Sequence, residues 1–161
     1  MDGWGVLCGG YVLRIRRHLC RARRVVIPMT LQVRTSRLTY RLPDRLDVTR
    51  KSGKEGLFLA PSWTILMPVI LARKSGTPEE EVWRVYERCY LHEMRHSYKA
   101  ERAKWDALLA RESVTLVCYC TDATKCHRHL LRTKILPALG AVDGGEVWAD
   151  GEFLPMDGVK I

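Results

Sequence analysis

The run from Val114 to Cys120 constrains this chain more than any other segment. It is short, mostly apolar and rich in β-branched residues, so it reads as a buried strand. A polar loop, Thr121 to Lys125, follows it, and then an apolar-periodic helix from Cys126 to Leu139 that Gly140 closes. A buried strand that feeds a helix in this way calls for a sheet with helices packed on it.

The rest of the chain fits that architecture. From Leu31 to Tyr40, the residues Leu31, Val33 and Thr35 alternate with Gln32, Arg34 and Ser36, a strand pattern that Leu42-Pro43-Asp44 interrupts. A short strand from Arg45 to Val48 and a loop over Lys51 to Gly56 come next. Pro61-Ser62 can cap a helix from Trp63 to about Lys74, in which Pro68 predicts a kink or a late start. In Thr77-Pro78-Glu79-Glu80, Thr77 suits a cap, Pro78 the first helical position and Glu80 the closing residue of a capping box. An apolar stripe then runs to Ala110, as one long helix or as two with a bend near His96. Val147 to Leu154 predicts a hairpin or an extra strand. Strands and helices alternate, which predicts a compact three-layer, Rossmann-like α/β domain with a small, mostly parallel sheet. It spans 29–149, between a basic extension, 1–28, and a tail, 150–161; Met29 is an alternative start.

A chain of 161 residues can bury roughly 70% of its unfolded surface without staples. Of the formal charge of +9, residues 1–28 hold six arginines against Asp2, a net +5. A basic field draws phosphates and nucleic acid into encounter without specifying a site. Six cysteines in a chain without a convincing export signal argue for reduced thiols and a cytoplasmic setting. The apolar stretch from Trp4 to Leu13 has the reverse of a signal peptide's charge order and is too short to span a bilayer. A membrane-surface helix from Tyr11 to Arg24 is disfavoured, because its arginines do not share one face.

Chemistry concentrates between Cys118 and His129. In open α/β sheets, ligands sit beyond the carboxyl ends of strands. Cys118 and Cys120 end the strand, and Cys126, His127, Arg128 and His129 open the helix. Three readings stand side by side. In one, Arg128 and the helix start hold a phosphate or carboxylate, while Cys118, Cys126 or His127 does acid–base or nucleophilic work, the thiol of Cys126 being lowered by its place. In another, Cys118, Cys120 and Cys126 bind zinc together with His127 or His129, His129 being the expected fourth ligand. In the last, the cysteines are core residues and the Cys-His-Arg-His run is a solvated helix start.

His92-Glu93-Met94-Arg95-His96 matches the His-Glu-x-x-His pattern of zinc peptidases. It lacks a third ligand: Lys99 and Arg102 hold the places where a metzincin needs glycine and histidine, and Glu101 or Glu112 would be weak substitutes. The expectation is therefore a charged helix face. Trp83, Tyr86, Tyr90, Tyr98 and Trp105 could stack on bases, but their helical spacing predicts core packing.

Val117-Cys118-Tyr119-Cys120 followed by Cys126-His127-Arg128 resembles the signature of the bacterial and phage family known as domain of unknown function 488. The resemblance extends from about Leu31 to Glu146, through Thr35-Ser36-Arg37, Leu46-Asp47-Val48 with Arg50, and Ala60-Pro61-Ser62-Trp63. Members often carry an acidic residue two places after the strand cysteine, where this chain has Cys120; that departure favours the metal reading. The resemblance implies a Rossmann-like fold with polar residues converging at one sheet edge. Ser36, Arg37, Asp47, Thr49 and Arg50, at the ends of the first two strands, could join the site, with Asp47 on a ribose hydroxyl and Arg37, Arg50 and Arg128 on phosphate. Alternatively, Asp47 and Arg50 form an internal salt bridge. The expected function is binding, and processing, of a nucleotide-like or other anionic small molecule; the alternative is a zinc-stabilised, non-catalytic nucleic-acid-binding module.

Overall fold

The computed structural model describes residues 30–76 and 78–152. Four parallel strands, β1 (Gln32–Arg37), β2 (Arg45–Asp47), β3 (Ser113–Cys118) and β4 (Val142–Glu146), line up in the order β2-β3-β1-β4. Helices α1 (Trp63–Ser75), α2 (Glu79–Ala100) and α3 (Arg102–Leu109) connect β2 to β3. A single α-helical turn, α4 (His127–Leu130), runs on through a π-helical segment, Leu131–Ile135, and a 3-10 turn, Pro137–Leu139, to Gly140 in the left-handed conformation. The chain is thus an α/β protein with an all-parallel sheet.

The alternation in β1 and β3 decides which face is apolar. Leu31, Val33, Val114 and Leu116, joined by Leu46 and Val48, bury into one core with Tyr86, Tyr90, Met94, Trp105, Leu130 and Leu131 from the helices. Each fully buried aliphatic side chain contributes about 1.5–3 kcal/mol, so this one face carries most of the burial energy. On the other face, the crossover from β1 to β2 packs Leu38 and Tyr40 against Val117 and Val147. Asp44 there accepts hydrogen bonds from Tyr40 and from Thr115. Among the described residues, that second face is covered by this turn and by Val147, and not by a helix.

Several local expectations shift. α1 begins at Trp63 and continues through Pro68, with no late start. Its first residue is reached through Ser62, whose backbone N–H and hydroxyl both donate to the Glu93 carboxylate. α2 begins at Glu79, one residue after Pro78, and the capping role given to Thr77 lies outside the described residues. The long apolar stripe is two helices, broken at Glu101 and not at His96. β3 ends at Cys118, which places Cys120 in the loop. The C-terminal element is the strand β4, followed by a turn in which Gly151 donates to Trp148 and Trp148 to Glu152. Val-Asp-Gly-Gly-Glu has little strand propensity. Gly144 instead suits a close approach to β1: a Cβ there would lie 2.9 Å from the Arg34 side chain and 3.0 Å from the Val33 carbonyl oxygen, and these would have to give way.

No described helix is long and apolar enough to cross a membrane. The basic extension 1–28 and the end of the tail lie outside the described residues.

Candidate functional site

The connection leaving β1 crosses one face of the sheet, and the connection leaving adjacent β3 crosses the other. Their carboxyl ends therefore flank a topological switch point, where open α/β sheets form a crevice. A cavity of about 240 Å³ lies there, lined among others by Ser36, Arg37, Thr121, Glu146, Val147 and Trp148. A second, of about 470 Å³, opens beside it over Arg73, Tyr119, Cys120, Thr121 and Asp122.

Three sulfurs sit under the second opening. The Sγ atoms of Cys118, Cys120 and Cys126 all lie within 4.8 Å of one another, and they form the one group of potential metal ligands found among the described residues. Cys118 ends β3, Cys120 turns back in the loop, and Cys126, in extended conformation, immediately precedes α4. Cys118 Sγ is 3.9 Å from Cys120 Sγ. Hydrogen bonds from Cys118 and then Cys126, with the charges of His127 and Arg73, outweigh burial and push the Cys120 thiol well below its ordinary value. The Cys120 contact, with burial, raises Cys118 against the lowering contact of Cys126, and the contacts with Cys118 and Cys120, with burial, raise Cys126. The expected low-pKa thiol is thus Cys120 and not Cys126, and α4 keeps too few regular turns to activate Cys126 by its dipole.

His127 is the imidazole at the sulfurs. Its Nδ1 lies 3.9 Å from Cys118 Sγ and 3.8 Å from Cys126 Sγ, while Nε2 is 2.9 Å from the carbonyl oxygen of Val48, just past β2. Burial under Tyr90, whose ring meets it edge-on at 5.7 Å, depresses its pKa to about 4. His129, half-buried, points elsewhere: burial and then the charge of Arg132 lower its pKa, against Asp143 and Glu146. The imidazole beside the sulfurs of Cys118 and Cys126 is therefore His127 and not His129.

Arg128 has 0% exposure. Its guanidinium donates to the carbonyl oxygens of Cys118 (3.3 Å) and Cys120 (2.9 Å) and to Glu146 Oε1 (2.9 Å). A cation so enclosed braces the strand end, and no face of it is open to a phosphate. Arg50 is spent in the same way, donating to the carbonyls of Pro61 (2.5 Å) and Ala60 (2.7 Å). Asp47 pairs with Arg45 at 3.4 Å and not with Arg50. It accepts from the backbone and hydroxyl of Thr49 and from Ser52. Burial opposes its ionisation, but the Thr49 and Ser52 hydrogen bonds outweigh it and hold the carboxyl below its usual range. Gly53 and Gly56 let the following loop close over Asp47, since a Cβ at either would lie 2.3 Å from its carbonyl oxygen. Ser36 donates to the Val147 carbonyl oxygen at 2.8 Å. Of the cations expected to hold phosphate, Arg37 remains: it is exposed, lines the crevice, and its side chain makes no hydrogen bond or ion pair among the described residues.

A family model described as the active DUF488-N3 subclade matches residues 35–138. The chain belongs to this family. The match takes in every DUF488-N3 residue expected at the site, from Ser36 to His129, and stops short of β4. No curated protein and no solved structure matches the chain.

Beyond the DUF488-N3 match lies the residue that sequence reasoning missed, Glu146. It ends β4, is held by Arg128, and lines the crevice with its side chain 18% exposed. Its only sequence signal was a position at the end of a segment too glycine-rich to read as a strand. The His92–His96 motif gathers no third ligand among the described residues. Both histidines are exposed, and Glu93 is occupied by Ser62. The aromatic series is core, with Trp83, Tyr86 and Tyr90 stacked in turn and Tyr98 edge-on to Trp105.

Proposed function

We propose that this DUF488-N3 protein binds, and acts on, a nucleotide-like anionic small molecule in the crevice at the carboxyl ends of β1 and β3. One observation carries the reading: of the three arginines expected to grip phosphate, Arg37 is the one that makes no hydrogen bond or ion pair among the described residues, and it lies in the switch-point cavity, while Arg50 and Arg128 are committed to the protein itself. A guanidinium in a partly enclosed site is suited to phosphate or carboxylate, which it can grip with two parallel N–H donors. Glu146 supplies a carboxylate for acid–base work beside it, held from below by Arg128. The subclade's description as active supports a reaction as well as binding.

A second reading concerns the cofactor and is compatible with the first. The spacing of the three sulfurs favours zinc on Cys118, Cys120 and Cys126. The cluster opens on the neighbouring cavity, so an ion there leaves the Arg37 crevice free.

The test is calorimetric titration of nucleoside mono- and diphosphates into the full chain and into Arg37→Ala. Saturable binding that weakens by about tenfold or more in Arg37→Ala is expected, the loss of one charged hydrogen-bonding group. Binding that Arg37→Ala leaves unchanged overturns the reading. So does an absence of small-anion binding together with DNA binding of steep salt dependence, which would favour the nucleic-acid module.

A further inference from the structure

We infer that Cys118, Cys120, Cys126 and His127 form a closed, four-coordinate site for zinc or a chemically similar divalent ion, with Nδ1 of His127 as the fourth ligand. This rests on the three-cysteine zinc reading above and completes it.

The tautomer follows from the hydrogen bond. The Val48 carbonyl oxygen only accepts, so the ring hydrogen is on Nε2, 2.9 Å away. The lone pair of Nδ1 then faces the sulfurs of Cys118 and Cys126. Ligating imidazoles are held in this manner, one nitrogen on the metal and the other donating to a backbone carbonyl.

Three of the six edges of a tetrahedron are in place. Bonds of about 2.3 Å to sulfur and about 2.0 Å to nitrogen put ligand sulfurs about 3.8 Å apart and sulfur and nitrogen about 3.5 Å apart. The Cys118–Cys120 edge is 3.9 Å, and the two sulfur–nitrogen edges are 3.9 Å and 3.8 Å. The remaining sulfur pairs lie within 4.8 Å, and closing the site needs Cys120, which stands in a loop, to turn its sulfur toward Nδ1 of His127. The surroundings suit an anionic thiolate cluster. Arg128 braces the carbonyls of Cys118 and Cys120, and the charge of Arg73 acts on Cys120 from the open side.

Four protein ligands leave no position for water or substrate, so the ion is structural. It ties the end of β3 to the start of α4 and, through the His127–Val48 hydrogen bond, to the end of β2. The loop that leaves β3 toward this site borders the Arg37 crevice through Thr121 and Ala123. The reactive groups of the proposed function are then those of the crevice, and the thiols serve the floor beside it.

The experiment uses the full chain purified under reducing conditions: zinc per chain is measured, then cobalt(II) is exchanged in and the visible spectrum followed. About one zinc per chain and the intense bands of a tetrahedral thiolate site are expected. His127→Ala is expected to lower cobalt affinity by tenfold or more and to shift those bands, and Cys120→Ser to do the same, while His129→Ala changes neither. X-ray absorption at the zinc edge of the unmodified chain gives the answer independently of whether His127→Ala folds: three sulfurs and one nitrogen are expected. No bound ion and no thiolate bands would overturn the cysteine reading and this inference together. Bands that His127→Ala leaves unaltered, or four sulfur neighbours with the fourth from Cys8, Cys20 or Cys89, would spare the three-cysteine site and overturn the assignment of His127.

Discussion

Two histidine-bearing segments of this chain invite a metal, and they come out opposite. His92-Glu93-Met94-Arg95-His96 has the better-known spacing, yet its two histidines lie on an exposed helix face, with their rings 4.7 Å apart and the glutamate occupied by Ser62. The Cys118–His127 segment has an unusual Cys-x-Cys spacing, yet three sulfurs and an imidazole nitrogen converge under the sheet edge. The difference lies in how the ligands are held. A helical i, i+4 pair supplies two ligands on a surface open to water, and none of the described residues supplies a third. A strand end, a loop and a helix start bring groups from separate directions, and the buried walls around them are fixed by Tyr90, Val48 and Arg128. A local motif is a weaker indicator than a place in the topology where the chain reverses.

Removing the brace is the most severe way to test that contrast. Arg128→Ala leaves the carbonyls of Cys118 and Cys120 and the carboxylate of Glu146 without their buried cation. A loss of about 3–5 kcal/mol is expected in denaturant unfolding. A loss under about 1 kcal/mol would mean that the strand end is held by something else, and the account of convergence would fail.

Most of the fold was legible in the sequence. The apolar run at β3 and the alternation in β1 marked the two central strands, and a parallel α/β sheet followed from strand–helix alternation. β4 was poorly legible as a strand, because Val142–Glu146 is shaped by close approach to β1 and not by propensity. At the site, residue types were readable but their employment was not. Arg37, Arg50 and Arg128 are alike in sequence, and only packing shows that two of them are consumed by backbone carbonyls. The thiols were ranked wrongly for a related reason. The sequence places Cys126 at a helix start, but the shared hydrogen bonds that lower Cys120 depend on a loop geometry no spacing reveals.

Acid titration sharpens the same comparison at the neighbouring strand end. The Asp47 carboxyl is lower in the folded chain than in the unfolded one, so its contribution is fully present above the unfolded value and is lost as pH falls through the folded value. Asp47→Asn should therefore flatten the fall in stability below about pH 4. At neutral pH it should cost roughly 1–2 kcal/mol, since Asn keeps an acceptor for Thr49 but not the charge that strengthens the bond. An unchanged acid limb would show that Asp47 is equally solvated in both states.

The smallest expected effect is the most informative about the motif. Neither His92 nor His96 is buried, and each lies on the outer face of α2. The double variant His92→Ala, His96→Ala should stay within about 0.5 kcal/mol of the parent in unfolding, as surface substitutions do, because alanine favours the helix and no packed contact is lost. Zinc content should be unchanged, since the cysteine cluster shares no residue with α2. Loss of bound zinc in this variant would reverse the comparison and return the metal to the helix face, leaving the three sulfurs as reduced core thiols.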